Sequence, residues 1–118
     1  MSVDSTRRVM ERYFDAMGRD EDFSRFFSAD VTWLTVDSSE RVSGPAAVRQ
    51  YILDLHARMS SGEQRALDVS DGHAYLEGSD VNGDPGLVYC LVYDVSDDQI
   101  TAIRCYGTLA TLTAQPRS

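Results

Sequence analysis

Asp80 is the residue best placed to move a proton. It follows Ala74, Leu76 and Gly78 in strict alternation, so a strand over His73–Val81 puts all four on one face. A carboxylate beside an apolar cavity has a raised pKa and can act as acid or base. An equally weighted reading has Asp80 opening the Asn82-Gly83 loop, solvated. Trp33 and Thr35 share a face of an earlier strand. Trp33 is a cavity wall or core; Thr35 orients a ligand or pairs with a neighbouring strand. Asp37 continues that face but sits in turn chemistry, which favours a solvated residue over a general base. Tyr13 lies on a core stripe, where a tyrosine hydroxyl ordinarily reaches a carbonyl or water.

The histidines and cysteines are weighed the same way. His56 borders a helical stripe, and a satisfied histidine at the core edge is favoured over a pocket acid/base. His73 follows Asp71-Gly72 and reads as an exposed hairpin residue. Two histidines without a carboxylate–histidine motif make no metal site. There is no glycine-rich phosphate loop and no Gly-x-Ser-x-Gly elbow.

Two long strand signals, Leu87–Val95 and Gln99–Leu112, flank the turn chemistry of Ser96-Asp97-Asp98. If Asp97 and Asp98 form a two-residue turn, Ser96 faces Gln99, and counting outward sets Cys90 opposite Cys105. One face then carries Val88, Cys90, Val92, Ile103 and Cys105, expected to floor an apolar pocket. The other carries Leu87, Tyr89, Leu91, Tyr93, Arg104 and Tyr106. Arg104 points away from the thiols, so no group lowers their pKa, and inert buried thiols are favoured over a nucleophile or a disulfide. Both faces are too apolar for water. Tyrosine and arginine are enriched at interfaces, so Tyr89, Tyr93, Arg104 and Tyr106 are expected to meet a second copy in a homodimer.

The remaining elements must hold these residues in place. Asp4 or Ser5 caps a first helix with the stripe Val9, Met10, Tyr13, Phe14 and Met17, ended by Gly18. Asp20-Glu21-Asp22 starts a short second helix presenting Phe23, Phe26 and Phe27, and Ser28-Ala29-Asp30 is a turn. Val31–Val36 is a strand, and Arg41-Val42 returns briefly. Ser43-Gly44-Pro45 opens a third helix striped by Val48, Tyr51, Ile52, Leu55 and Met59. The period then falls to two: Glu63–Ser70 and His73–Val81 are strands about the Asp71-Gly72 turn. Helices segregated from an antiparallel meander define an α+β fold, and a curved sheet wrapped over helices leaves a cone whose mouth is a pocket.

The 118 residues make one domain over 1–118, with an ordered core from about 4 to 112. The formal charge is −8, which argues against nucleic acid and anionic membrane as partners. Every basic residue is arginine, so no lysine Schiff base can form. No apolar run is long enough to span a bilayer, and Met1-Ser2-Val3-Asp4 leads into a polar helix, so the expected location is the cytoplasm.

Four stretches carry a family resemblance: Arg12-Tyr13-Phe14-Asp15-Ala16-Met17, Phe26-Phe27-Ser28-Ala29-Asp30-Val31-Thr32-Trp33, Ser43-Gly44-Pro45-Ala46-Ala47-Val48-Arg49 and Ile103-Arg104-Cys105-Tyr106. In this order the chain resembles the nuclear transport factor two-like superfamily, in particular its SnoaL-like branch, from about Val9 to Leu112. The resemblance implies a curved antiparallel sheet wrapped around three helices of the N-terminal half, a cone-shaped, cystatin-like barrel. It implies a homodimer through the sheet and no cofactor.

Ketosteroid isomerases of this superfamily resemble the chain at Tyr13, their oxyanion-binding tyrosine. Their general base falls on Thr35 and, counted without gaps from Arg104, their protonated aspartic acid falls on Cys90. Neither residue can do that work, so steroid isomerisation by that mechanism is rejected. Limonene-1,2-epoxide hydrolases resemble it along Tyr75-Leu76-Glu77-Gly78-Ser79-Asp80-Val81. Asp80 matches one of their aspartates, Gly78 stands at their arginine and Cys105 at their other aspartate. SnoaL-like polyketide cyclases need a single carboxylate. The resemblance therefore implies an enzyme performing cyclisation, isomerisation, dehydration or hydrolysis on a small, apolar, oxygenated molecule. Asp80 would be its acid/base and Tyr13 its oxyanion donor. Trp33, Thr35, Tyr51, Val88, Cys90, Val92, Ile103 and Cys105 would form the pocket. The alternative is a non-catalytic ligand-binding or dimerisation module of the same fold.

Overall fold

A computed structural model describes residues 2–58, 62–80 and 88–107, with the backbone alone for residues 63, 65 and 80. Two helices pack against one curved, open, six-stranded sheet of order β2-β1-β6-β5-β4-β3. In chain order the elements are α1 (Val3–Gly18), β1 (Phe27–Thr35), β2 (Glu40–Ser43) and α2 (Pro45–Arg58). After them come β3 (Gly62–Ser70), β4 (His73–Asp80), β5 (Val88–Ser96) and β6 (Gln99–Gly107). No helix among the described residues is long and apolar enough to cross a membrane.

α1 begins one turn earlier than Asp4 or Ser5 would set it. Ser2 is its cap, and Ser2 and Ser5 satisfy one another's backbone N–H groups as a capping box. Gly18 is the last helical residue, and the positive φ falls on Asp20 instead (58°). α1 buries Thr6, Val9, Met10, Tyr13 and Ala16, one stripe at helical spacing. Thr6 also ties α1 to the sheet: its hydroxyl donates to the Ser2 carbonyl at 2.8 Å and accepts the Gly72 N–H at 3.0 Å. The expected second helix is a single 3₁₀ turn, Phe23–Phe26, capped by the Asp22 side chain on the Ser24 N–H. Ser28-Ala29-Asp30, read as a turn, continues β1.

The sheet is antiparallel except for one pair. β1 runs parallel to β6, with Trp33 beside Ile103 and Thr35 beside Cys105. The other four pairs, β1–β2, β3–β4, β4–β5 and β5–β6, join strands consecutive in sequence. Gly72, at φ 81°, closes β3 onto β4, so Ser70 pairs with His73. Asp97 and Asp98, at φ 53° and 61°, close β5 onto β6 as a two-residue turn, and Ser96 pairs with Gln99 as expected.

Past that turn the pairing departs from regular counting. Val95 pairs with Ile100 but Asp94 pairs with Ala102, leaving Thr101 as a bulge. The Thr101 hydroxyl donates to the Asp94 carbonyl at 3.2 Å. One extra residue reverses the parity of everything beyond it. Cys105 therefore pairs with Leu91, and Cys90 with Tyr106. The helix-facing side of β5 carries Leu91, Tyr93 and Val95, all buried, with half-buried Tyr89. Val88, Cys90 and Val92 lie on the outer face.

This corrects five expected pocket-floor and interface placements. Val88, Cys90 and Val92 do not join Ile103 and Cys105, and Tyr89 and Tyr93 point into the core rather than toward a partner. The two cysteines are free and on opposite faces, so they do not pair.

Candidate functional site

Between the helices and the inner face of the sheet lies a cavity of about 70 Å³. α1 contributes Tyr13, Phe14 and Met17; α2 contributes Ile52, Leu55 and His56. Trp33 comes from β1 and Leu76 from β4. Tyr89, Leu91 and Tyr93 come from β5. An open groove between α1 and β3 is larger, about 600 Å³, but is bordered by exposed Glu11, Arg12, Asp15 and Gln64 and encloses nothing.

Tyr13 sits at the centre of an aromatic cluster. Its ring centroid lies 5.2 Å from Phe14, 5.6 Å from Phe23, 5.7 Å from Phe27 and 6.0 Å from Tyr93, mostly edge to face. Burial drives the Tyr13 hydroxyl's pKa upward, and that of Tyr93 likewise, with the neighbouring Tyr13 adding to it. Both hydroxyls are therefore protonated donors at any physiological pH. Among the described residues neither makes a hydrogen bond. Two phenolic donors in an apolar hollow suit a ligand oxygen.

His56 stands at the mouth. Part of its surface is exposed, yet burial lowers its pKa, so the neutral imidazole is favoured. It is the one residue of the described lining, besides the tyrosines, that titrates. No carboxylate is among the described lining residues.

Trp33 is fixed from behind by a directed chain of hydrogen bonds. Its Nε1–H donates to Thr35 Oγ1 at 2.8 Å, and Thr35 Oγ1 lies 3.2 Å from the Tyr51 hydroxyl. The Tyr51 hydroxyl in turn donates to Glu40 Oε1. An indole N–H can only donate and a carboxylate can only accept, so every proton in the chain points from Trp33 toward Glu40. The chain locks β1, β2 and α2 together, and Trp33 and Tyr51 pack at 5.3 Å.

The residues singled out by sequence divide as follows. Tyr13 and Trp33 line the cavity. Thr35 is buried behind Trp33 and Tyr51 is half-buried, both in the chain just described. Ile103 and Cys105 are buried on the inner face, and burial, followed by Asp37 and Cys90, holds the Cys105 thiol at about 12. A thiol so raised is no nucleophile. Cys90, where gap-free counting set the isomerases' protonated acid, faces outward; its pKa is raised by burial and then by Glu77. Asp37 is exposed. Asp80 is the last residue of β4, its Cα paired with that of Gly62, and its side chain lies outside the described residues.

The lining members Tyr89, Leu91 and Tyr93 were missed. A signal for them was present: Asp94 shares the parity of Val88, Cys90 and Val92 and marks that face as outer. There Arg104 donates to Asp94 at 2.6 and 3.0 Å, and His73 Nδ1 lies 2.9 Å from it. The Arg104 bonds, ahead of the His73 contact, hold the Asp94 carboxyl below its usual range. Regular pairing would put Asp94 and Arg104 on opposite faces. Among the described residues no group of three or more His, Cys, Asp or Glu side chains is placed to hold a metal.

No protein-family model matches the chain, and no curated protein does. Solved structures do. A de novo designed protein with a curved β-sheet superposes with a TM-score of 0.76 at 19% identity, over 96% of this chain and 98% of that one. A proposed ketosteroid isomerase from Kribbella flavida DSM 17836 gives 0.73 at 21% identity, over 98% and 81%. An NTF2-like protein from Burkholderia xenovorans LB400 gives 0.69 at 16% identity, over 96% of each chain. The fold is thus the α+β cone of the nuclear transport factor two-like proteins.

Proposed function

We propose that this chain is a small-molecule protein of SnoaL-like type. An apolar molecule enters the cone and presents an oxygen to the Tyr13 and Tyr93 hydroxyls. Asp80, next in alternation after Gly78, supplies the acid/base group for a cofactor-free cyclisation, isomerisation, dehydration or hydrolysis. The observation that carries the reading is that two buried tyrosines, Tyr13 and Tyr93, line an apolar cavity with no hydrogen bond from either hydroxyl to a described residue. The similarity to the proposed ketosteroid isomerase from Kribbella flavida lends support to isomerisation, at an identity that speaks for the fold alone.

A binding module without turnover is the second reading. It is favoured by the lack of any carboxylate among the described lining residues. The same proposal has a second copy covering the outer face, where Tyr75, Val88 and Tyr106 stand 41%, 43% and 41% exposed around the Asp94–Arg104 pair.

The test is a thermal-shift panel of apolar alcohols, ketones and epoxides. At least one compound should raise the melting temperature. Tyr13→Phe should weaken its binding about fivefold, the value of one net neutral hydrogen bond. Asp80→Asn should keep binding and lose turnover; full turnover in that variant leaves the binding site standing and removes Asp80 as acid/base. A panel with no stabilising compound, or Tyr13→Phe binding undiminished, contradicts the proposal.

A further inference from the structure

Tyr89 and Gly78 form a cross-strand pair on the inner face of β5 and β4. The Tyr89 ring lies directly on the glycine. A Cβ added to Gly78 would stand 2.6 Å from Tyr89 Cζ and 2.7 Å from both Cε2 and Oη. Real side chains do not approach so closely, so this ring position exists because residue 78 has no side chain. Tyr89 at the same time lines the cavity and is half-buried at its edge.

The volume left is small. About 70 Å³ is roughly half of a ~150 Å³ cavity that takes benzene, and far below the ~300–1,000 Å³ of sites for drug-sized ligands. It suits the oxygen-bearing end of a short aliphatic compound and not a ring system.

We propose that Tyr89, seated on Gly78, is the specificity-determining residue of this site and limits it to small aliphatic carbonyl or hydroxyl compounds. The proposal rests on the reading of the cavity as a ligand site. Truncating the ring opens the space over β4. Adding a methyl group at Gly78 does the reverse: the ring cannot stay on the strand, and the proposal places it in the cavity it already lines. The two positions should therefore be coupled, with the effect of residue 78 passing entirely through the ring of residue 89.

The test is a double-mutant cycle read by the fluorescence of Trp33, the single tryptophan, which lines the cavity. The probes are 2-butanone and acetophenone. Wild type should bind 2-butanone and respond to acetophenone at least about tenfold more weakly, and Tyr89→Ala should recover that factor. Gly78→Ala should weaken 2-butanone by a similar factor in the native background and have no effect in the Tyr89→Ala background. Tyr89→Leu, with thermal unfolding of each variant, serves if the alanine variant does not fold. Equal acetophenone binding by wild type and Tyr89→Ala, or an equal Gly78→Ala effect in both backgrounds, overturns the gate and leaves the site. Failure of all four proteins to bind either ketone overturns the site and the gate together.

Discussion

Tyr13 and Tyr93 are buried as residues, yet their hydroxyls are not among the sealed, partnerless polar atoms of the described residues; they border the cavity. A donor that faces a small hollow leaves room there for an acceptor. Retaining two of them, Tyr13 and Tyr93, at one cavity is the residue-scale argument for a ligand. His56 makes a second residue-scale prediction. Its folded pKa lies below the ordinary 6.5, so protonation favours the unfolded chain. Its contribution to stability is full above pH 6.5, falls as pH drops through 6.5 toward the folded value, and is constant below that. Urea unfolding of wild type and His56→Gln from pH 8 to 5 should show a loss in wild type that the variant lacks. Parallel curves would show that His56 is not buried enough to matter.

At the scale of elements, the Thr101 bulge decides which faces meet. Without it, Ile103 and Cys105 would share a face with Cys90, as regular alternation predicts. The expected hairpin, its two-residue turn, the helical stripes and the α+β order were all readable, because turn chemistry and periodicity are local. The bulge was not, because Gln99-Ile100-Thr101-Ala102 has no glycine or proline to mark it. The bulged register is the one that puts Asp94 and Arg104 on one face, a cross-strand contact that no local period shows. The parallel pairing of β1 with β6 was hidden for the same reason: 72 residues separate Phe27 from the Gln99 that hydrogen-bonds to its carbonyl. Tyr13 and Trp33 could be placed because each rests on a single local period, whereas Tyr89 and Tyr93 lay beyond the bulge. Deleting Thr101 should expose Ile103 and Cys105 and abolish cooperative unfolding followed by circular dichroism. A deletion variant as stable as wild type would show that the bulge does not fix the faces.

At the scale of the whole molecule, the sheet has a helix-covered side that holds the cavity and a side that no helix among the described residues covers. The proposed dimer closes that second side. Sedimentation equilibrium should give twice the chain's 13.1 kDa, and Tyr106→Glu together with Val88→Glu should give the monomer without loss of fold. A wild-type monomer at all concentrations would contradict that proposal and leave the cavity untouched. The cavity on the helix-covered side is the place where the proposed ligand would enter.

Tyrosine labelled with ¹³C at Cζ reports that entry directly, because the carbon's resonance moves when its hydroxyl gains an acceptor. With signals assigned by single Tyr→Phe variants, 2-butanone should shift Tyr13 and Tyr93 and leave exposed Tyr75 and Tyr106 in place. Shifts confined to the exposed tyrosines, or no shift at saturating ketone, would contradict the central claim that the cone binds an oxygen through its buried hydroxyls.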